Sequence, residues 1–252
     1  MLFEERANYI IKKLEQENLI KANDLVNEMG VSIDTIRRDL KKLEEEGKLT
    51  CIRGGACSSE ETLQYSPFFG RQIVNEELKR EAAKKAISLI HSGNIIALNA
   101  GTTNSIFAEE LLKLKKQITV VTNNLSALSI LTASDYINLI VPGGIVDKKE
   151  LGLCGYNCVE EISSYSFDLS FLSINAFDPL YGFSDFRFNE IDIIKAMLKH
   201  SKQSVAIMDS HKLGKLSKKI FLSAKDIDLL ITDDNIDISM KKQILETGLE
   251  IT

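Results

Sequence analysis

The first stretch of this sequence that could do chemistry runs from Val31 to Ala56 and is rich in cations. Apolar residues recur in it at helical spacing, which predicts a helix over residues 33–46 with a single apolar face. Those apolar residues are Ile33, Ile36, Leu40 and Leu43. Ser32 is placed to cap the start of this helix, and Gly47 is placed to end it in a left-handed turn.

The opposite face of the predicted helix is polar and could contact the major groove of DNA. Arg38 lies almost opposite the apolar stripe, and arginine can bind phosphates or the edge of guanine. The candidate DNA-binding residues of this segment are Ser32, Asp34, Thr35, Arg37, Arg38, Lys41 and Lys42. A surface helix with a solvated charged face has the same pattern, so the flanking sequence must decide between the two interpretations.

The flanking sequence favours DNA binding. Helices are predicted over about residues 3–18 and from about Ala22, and Gly30 lies in a tight turn before the cationic helix, which is the helix-turn-helix arrangement. Residues 48–56 alternate and end in Gly-Gly-Ala, which predicts a hairpin, or wing, beside that helix. Arg53 on the wing could contact a phosphate or an adjacent minor groove, or it could be an exposed arginine without a partner.

The second stretch with candidate chemistry is Asn99-Ala100-Gly101-Thr102-Thr103, which follows an apolar strand and opens a helix. Glycine lets the backbone come close, threonine adds hydroxyls, and a helix N-terminus offers free N–H groups, so a phosphate or similar anion could bind there. Such residues also cap helices for structural reasons alone. Polar or glycine-bearing loops follow four further predicted strands, at residues 122–124, 142–144, 175–178 and 209–212.

Strands alternate with helices from about residue 94 to residue 232, which predicts a mostly parallel sheet covered on both faces. Ligands of such sheets bind beyond the carboxyl ends of the strands. The predicted fold class is therefore α/β, with an N-terminal winged helix-turn-helix and a C-terminal open α/β domain. We expect a DNA-binding domain over residues 1–57, a linker over residues 58–74 and an effector-binding domain over residues 75–252.

Composition sets limits on the class of protein. The 252 residues are 44% hydrophobic and 27% charged, and the formal net charge is −5, which argues against nonspecific polyanion binding by the whole molecule. A local DNA-binding face remains compatible with this charge, because screening limits the field of distant charges to about 8 Å. No apolar run could cross a bilayer, and acids occur early, so a cytoplasmic protein is expected. The four cysteines are not spaced with histidines as metal ligands would be. Cys154 and Cys158 are four residues apart, and we expect them to lie on one turn of a helix and to pack in the interior. No cofactor or metal is expected.

The segment TIRRDL, a helix-ending glycine and an RGGA wing together resemble the winged helix-turn-helix of the DeoR family of bacterial regulators of sugar operons. The order of the later loops resembles the sensor domain of the same family, whose sheet is related to sugar-phosphate isomerases. The resemblance covers about residues 6–233. It implies a phosphorylated sugar or related metabolite as effector, and a homo-oligomer as the acting form.

The resemblance also assigns roles within the sensor domain. It implies that Gly101, Thr102 and Thr103 hold the phosphate with Asn123 alongside, and that Lys195 and Lys212 supply cations. Alternatively, the two lysines are solvated and Asn123 forms an ordinary turn. Three more candidates follow strands at the same predicted edge: Asn99, Asn175 and Asp178. The chain departs from the family pattern at Cys51, Arg53, Asn99, Ser173 and Ala176 and in the aromatic stretch 181–188, which predicts an unusual ligand preference.

The main hypothesis is a sequence-specific transcriptional regulator without enzymatic activity, a repressor of a sugar or sugar-phosphate catabolic operon whose operator binding responds to a phosphorylated sugar. The alternative is a sugar-phosphate isomerase with a DNA-binding appendage. Isomerisation needs a general base, which Asp178, Asp185 or Glu190 could supply, whereas the loss of an acid at Asn99 argues against it. A third, weaker hypothesis is a transcriptional activator.

Overall fold

The structure is a computed structural model that describes residues 2–17, 19–52, 54–57 and 68–252. The chain forms two compact units, residues 1–74 and residues 75–252, called here the N-terminal and C-terminal units. Arg53 and most of the predicted linker, residues 58–67, lie outside the described residues. Within the described ranges, no helix has both the length and the apolar character needed to span a bilayer.

The N-terminal unit contains helices and a small antiparallel sheet. Its elements are α1 (Phe3–Glu17), β1 (Leu19–Lys21), α2 (Ala22–Met29), α3 (Ile33–Glu45), β2 (Thr50–Ile52), β3 (Gly55–Cys57) and α4 (Phe68–Ile73). The helix-turn-helix and the wing hairpin were predicted, but β1 was not. It pairs with β3, so that the sheet order is β1-β3-β2.

Glycine at position 55 is what allows this third strand to pair. A Cβ atom on Gly55 would lie 1.9 Å from the carbonyl oxygen of Ile20, so any other side chain would push β1 away from β3. The core beneath this sheet includes Ile36, Leu40 and Leu43 of the predicted apolar stripe, all of them buried.

The C-terminal unit is an α/β fold. Its helices are α5 (Glu76–Ala86), α6 (Thr102–Leu111), α7 (Leu125–Leu131), α8 (Tyr156–Ser163), α9 (Phe188–Lys199) and α10 (Ile238–Glu246). Its strands are β4 (Ile95–Leu98), β5 (Ile118–Thr122), β6 (Ile137–Ile140), β7 (Ile145–Asp147), β8 (Gly152–Cys154), β9 (Phe167–Leu172), β10 (Ala176–Asp178), β11 (Gly182–Asp185), β12 (Ser201–Ile207), β13 (Lys219–Leu222), β14 (Leu229–Ile231) and β15 (Glu250–Ile251).

Seven of these strands form a parallel sheet in the order β15-β14-β12-β9-β4-β5-β6. Two apolar clusters pack on it, and both contain strand and helix residues, as expected when both faces of a sheet are covered. The predicted fold class is thereby confirmed. From β4 the chain proceeds outward to β5 and β6, and it then returns to β9 on the other side of β4. The strand order therefore reverses between β4 and β9, which is where α/β folds bind ligands.

Several predicted boundaries were wrong. The helix expected to begin at Ile106 begins at Thr102, so the Gly-Thr-Thr loop contributes directly to its first turn. The helix expected over residues 153–163 is split, since Gly152–Cys154 is a strand paired with β7 and the helix begins at Tyr156. Cys154 and Cys158 therefore do not share a helical turn, although both are buried, and burial raises the pKa of Cys158 to about 12.

Candidate functional site

The start of α3 is fixed by its own sequence. Ser32 has extended backbone, and its hydroxyl accepts a hydrogen bond from the Thr35 N–H at 3.2 Å, which is the predicted N-cap. The Ser32 and Thr35 hydroxyls lie 2.9 Å apart. At the other end Gly47 has φ +69, the left-handed conformation that favours glycine after a helix.

The outward face of α3 carries the predicted cations. Arg37, Arg38, Lys41 and Lys42 are all exposed. Arg38 donates to the carbonyl oxygen of Asp34 at 3.3 Å, and Arg37 lies 3.5 Å from the Asp34 carboxylate in a solvent-exposed pair. Exposed pairs of this kind contribute little to stability, so Arg37 can exchange Asp34 for another anion at small cost.

Lys42 differs from the other cations of α3, because its ammonium group lies 3.9 Å from the centre of the Phe3 ring on α1. Within the described ranges Lys41 has no ion-pair partner. The cations of α3 that are available to a polyanion are therefore Arg37, Arg38 and Lys41, whereas Lys42 lies against α1.

A partly buried ion pair holds α3 in place. Arg6 of α1 donates to both carboxylate oxygens of Asp39, at 2.6 and 3.0 Å. The hydrogen bond to Asp39 raises the pKa of Arg6. The negative charge of Asp39 lowers the net charge of this segment of the sequence. Because Asp39 faces inward, the outer face of α3 is more positive than the local composition indicates.

The wing is tied to the same helix. The Glu44 carboxylate of α3 accepts a hydrogen bond from the Cys51 N–H at 2.6 Å, at the centre of β2. Burial, followed by the charge of Glu44, raises the pKa of Cys51 to about 11, so this thiol stays protonated. The role predicted for Arg53 stays a prediction, because that residue lies outside the described part of the chain.

In the C-terminal unit, the loops at the strand-order reversal between β4 and β9 are joined by buried amides. Asn99 follows β4, and its side chain donates to the carbonyl oxygens of Ala100 and Ser173, both at 3.1 Å, and accepts from the Ser173 N–H at 2.7 Å. Asn123 follows β5, and its amide oxygen accepts from the Ala100 N–H at 2.9 Å. Both asparagines are fully buried, so they hold three neighbouring strand ends together.

Glu190 on α9 lies at the centre of this arrangement. Its carboxylate accepts hydrogen bonds from the Ala100 N–H at 2.8 Å, from Asn99 at 3.0 Å and from Asn123 at 3.1 Å. Burial raises the pKa of Glu190 to about 7, although Arg187 and the two asparagine amides act in the opposite direction. A carboxyl group that changes protonation near neutral pH therefore lies at this edge of the sheet.

Arg187 is the buried cation of the site. It donates to the carbonyl oxygens of Ala100 at 2.7 Å and Ser173 at 2.8 Å, and its shortest contact with the Asp185 carboxylate is 2.6 Å. Burial by itself lowers the pKa of Arg187, but the charge and hydrogen bonding of Asp185, together with the charges of Glu190 and Glu150, outweigh it and the net shift is upward. Sequence reasoning missed this residue, which lay inside a stretch noted only for its aromatic character.

A cavity of about 240 Å³ lies against these groups. Its lining includes Gly152 and Cys154 of β8, Arg187 and Glu190, and the charged residues Asp147, Lys149 and Glu150 near the β7–β8 hairpin. Gly152 also brings the cavity close to the first loop, because a Cβ atom there would lie 2.7 Å from that of Ala100.

The Gly-Thr-Thr segment is buried beside this cavity and does not line it. A Cβ atom on Gly101 would lie 2.5 Å from the Ser173 hydroxyl and 3.1 Å from Arg187, so glycine is needed for close packing. Thr102 and Thr103 form the first turn of α6 and are 2% and 0% exposed. The hydroxyl of Thr103 is buried and has no hydrogen-bond partner among the described residues.

The structure brings some of the other predicted effector residues to this edge and leaves others away from it. Lys212 donates to the carbonyl oxygen of Ile174, next to Ser173, at 3.3 Å. Asn175 is buried, and its N–H donates to Asp185 at 3.1 Å. Asp178 caps the turn at Leu180 and Tyr181 and is not among the cavity-lining residues. Lys195 is exposed on α9 and does not line the cavity either.

Comparison with known proteins identifies the family. A family model described as the DeoR C terminal sensor domain matches residues 74–234, and one described as the DeoR-like helix-turn-helix domain matches residues 6–62. This chain belongs to the DeoR family. The resemblance inferred from the sequence is confirmed.

Relatives of this DeoR-family chain match it over nearly its whole length. It is 34% identical to the HTH-type transcriptional regulator GolR of Listeria innocua, over 98% of this chain and 97% of the relative. It is 26% identical to the glycerol-3-phosphate regulon repressor of Escherichia coli, over 98% of this chain and 97% of the relative. These matches place the DeoR-family chain among transcriptional regulators rather than among enzymes.

Among solved structures, ribose 5-phosphate isomerase A from Methanocaldococcus jannaschii matches the chain with a TM-score of 0.43 and 20% identity, over 57% of this chain and 58% of that chain. A likeness of this size carries no functional argument. The regulatory assignment rests on the two family models and the full-length relatives.

Proposed function

We propose that this DeoR-family regulator represses a sugar or sugar-phosphate catabolic operon by binding its operator through α3 and the wing, and that a phosphorylated sugar bound at the strand-order reversal weakens this binding. The proposal includes a homo-oligomer, since a two-fold assembly would match repeated half-sites on DNA. One of the relatives named above is called a regulon repressor, which supports repression as the sign of the effect.

The observation that carries the effector site is the first turn of α6. A helix N-terminus bears partial positive charge and free N–H groups. This one lies buried next to the cavity, beside Gly101 at the strand-order reversal. The Thr103 hydroxyl there is fully buried without a partner among the described residues, and a buried hydroxyl left unpaired is costly. A phosphoryl oxygen would supply that partner, and Lys212 would add a cation nearby.

On the DNA side, Arg38 would contact base edges or phosphates from the major groove. Arg37 and Lys41 would neutralise neighbouring phosphates, and Ser32, Asp34 and Thr35 would fix the approach of the helix N-terminus to the backbone. Lys42 would contribute charge from its position on Phe3. Arg53 would act from the wing.

A mobility-shift assay tests the DNA part of this proposal. The full-length protein should shift DNA from upstream of its own operon and leave a shuffled sequence of equal length unshifted, and the shift should weaken steeply as salt is raised. Equal affinity for both DNAs at every salt concentration would contradict sequence-specific binding.

A separate assay tests the isomerase alternative. We expect no interconversion of aldose and ketose phosphates by the purified protein, because the full-length relatives named above are transcriptional regulators. Conversion that disappears in the Glu190→Gln variant would instead support the enzyme.

A further inference from the structure

The two oxygen atoms of the Glu190 carboxylate accept different numbers of hydrogen bonds from the protein. Its Oε1 atom accepts from the Ala100 N–H at 2.8 Å and from the side-chain amides of Asn99 at 3.0 Å and Asn123 at 3.4 Å. Its Oε2 atom accepts only from Asn123, at 3.1 Å, within the part of the chain that the structure describes. A carboxylate oxygen has room for about two hydrogen bonds, so Oε2 keeps spare acceptor capacity.

The same carboxylate lines the 240 Å³ cavity, and the charged groups around it favour hydroxyls over a second anion. The guanidinium of Arg187 is directed to Asp185 and to the carbonyl oxygens of Ala100 and Ser173. The remaining charged lining consists of Asp147, Glu150 and a single cation, Lys149. A phosphoryl group would meet net negative charge here, whereas a hydroxyl could donate to the free acceptor.

We propose that Glu190 selects the carbon chain of the effector, its Oε2 atom accepting a hydrogen bond from a hydroxyl of a small phosphorylated sugar or polyol whose phosphoryl group binds at the first turn of α6. This inference rests on the function proposed above and adds the group that would distinguish a sugar phosphate from phosphate alone. Glu190 is thus a specificity-determining residue.

The two protein groups that would bind such a ligand are linked by a short stretch of chain. Ala100, whose N–H donates to Glu190, is three residues from Thr103 in the first turn of α6. Their Cα atoms are therefore separated by no more than about 11 Å, since consecutive Cα atoms lie 3.8 Å apart. A phosphorylated sugar can bridge a gap of this order.

The variant Glu190→Gln removes the Oε2 acceptor. Asn123 loses its 3.1 Å hydrogen bond to Oε2 but keeps its 2.9 Å hydrogen bond to the carbonyl oxygen of Leu153. The Ala100 N–H and the Asn99 amide hold the Oε1 side, so the glutamine oxygen is expected to take that place. The amide nitrogen then replaces Oε2, and an amide NH₂ group cannot accept a hydrogen bond from a hydroxyl. The matched control is Asp192→Asn, which removes the same charge from an exposed position on the same helix.

The measurement is the ratio of two affinities for the full-length protein at pH 8, where Glu190 is mostly ionised. One is for the tightest binder among ribose 5-phosphate, fructose 6-phosphate and glycerol 3-phosphate, and the other is for inorganic phosphate, measured by competition. Removing the negative charge affects both ligands through their common phosphoryl group. The loss of the acceptor affects only the ligand with hydroxyls.

We expect Glu190→Gln to lower the ratio by about 10- to 100-fold, as for a lost hydrogen bond to a charged group, and Asp192→Asn to leave it unchanged. An unchanged ratio in Glu190→Gln overturns the inference, and so does a parallel loss of both affinities, which indicates a purely structural role. If the wild-type protein binds none of the sugar phosphates, the proposed function fails as well.

A second variant keeps the test decisive if Glu190→Gln does not fold. Glu190→Asp keeps the charge and the acceptor chemistry but withdraws them by one methylene group. We expect the ratio to fall in this variant too, with the affinity for inorganic phosphate retained. A full wild-type ratio in Glu190→Asp overturns the inference.

Discussion

At the scale of single residues, we propose Arg38 as the side chain on which DNA recognition depends most. It is exposed on the face of α3 opposite the buried stripe, and among the described residues its side chain makes one hydrogen bond, of 3.3 Å, to a carbonyl oxygen of its own helix. We expect Arg38→Ala to weaken operator binding by about 1–3 kcal/mol, or roughly 5- to 150-fold. Lys12→Ala, an exposed cation on α1, is the control in a fluorescence-anisotropy titration, and equal losses in the two variants would remove Arg38 from the interface.

Thr103 gives a prediction in which stability and binding change in opposite directions. Its buried hydroxyl has no partner among the described residues, so Thr103→Val should leave the free energy of unfolding unchanged or slightly raised. The same change should lower affinity for the phosphorylated effector, because a phosphoryl oxygen loses its donor. Calorimetric titration and thermal unfolding of the same samples measure both quantities. A marked loss of stability would show that the hydroxyl serves the fold.

Because of Glu190, we expect the free energy of unfolding to depend on pH. Its pKa is raised from 4.5 to about 7 by burial, so between these values the folded protein binds more protons than the unfolded chain. This contribution is fully present below pH 4.5 and is lost as pH rises through 7, by about 3 kcal/mol in total. Denaturant unfolding at pH 5 and pH 8 should show a smaller difference for Glu190→Gln than for the wild type. A difference of the same size in both proteins would count against this shift.

The residues whose roles could be predicted from the sequence were those that act on near neighbours along the chain. Ser32, Gly47 and the apolar stripe of α3 act on neighbours within a few positions, so their roles could be predicted from spacing alone. The contact between Asn99 and Glu190 joins residues 91 positions apart, and no periodicity indicates such a pair. The candidate set therefore contained Asn99 and Asn123, whereas Glu190 entered only as a possible base and Arg187 did not enter.

At the scale of elements, the wing depends on the close approach of β1 and β3. A Cβ atom at position 55 would lie 1.9 Å from a backbone oxygen that cannot move cheaply. Gly55→Ala should therefore destabilise the protein by about 1–3 kcal/mol and weaken operator binding by displacing the wing. Gly143→Ala is the control, since the nearest atom there is 3.7 Å away. A Gly55→Ala protein with wild-type thermal stability and DNA affinity would contradict this account of the wing.

Short elements were the ones that sequence reasoning missed. The strands β1, β7 and β10 have three residues each, too few for a periodic pattern, and they form only because a distant strand offers hydrogen bonds. The long parallel strands were predicted within one to three residues, because their apolar runs are buried on both faces. The start of α6 was placed four residues late, because Thr102 to Ser105 are polar yet buried.

At the scale of the whole molecule, binding of the effector can alter operator affinity only if it favours one conformation over another. Linkage then requires that the operator alter effector affinity by the same factor. We therefore expect two equal effects, one on operator affinity and one on effector affinity. An effector that binds tightly but equally well to the free and DNA-bound protein would regulate nothing.

The most direct test of the account is the dissociation constant of the full-length protein for its operator, measured with and without a saturating phosphorylated sugar at fixed salt. We expect the sugar phosphate to raise this constant by about 5- to 150-fold, the usual range of allosteric coupling, and inorganic phosphate to have a smaller effect. The Thr103→Val protein should bind the operator as the wild type does and respond less. An operator affinity that no sugar phosphate changes would show that the two sites are not coupled.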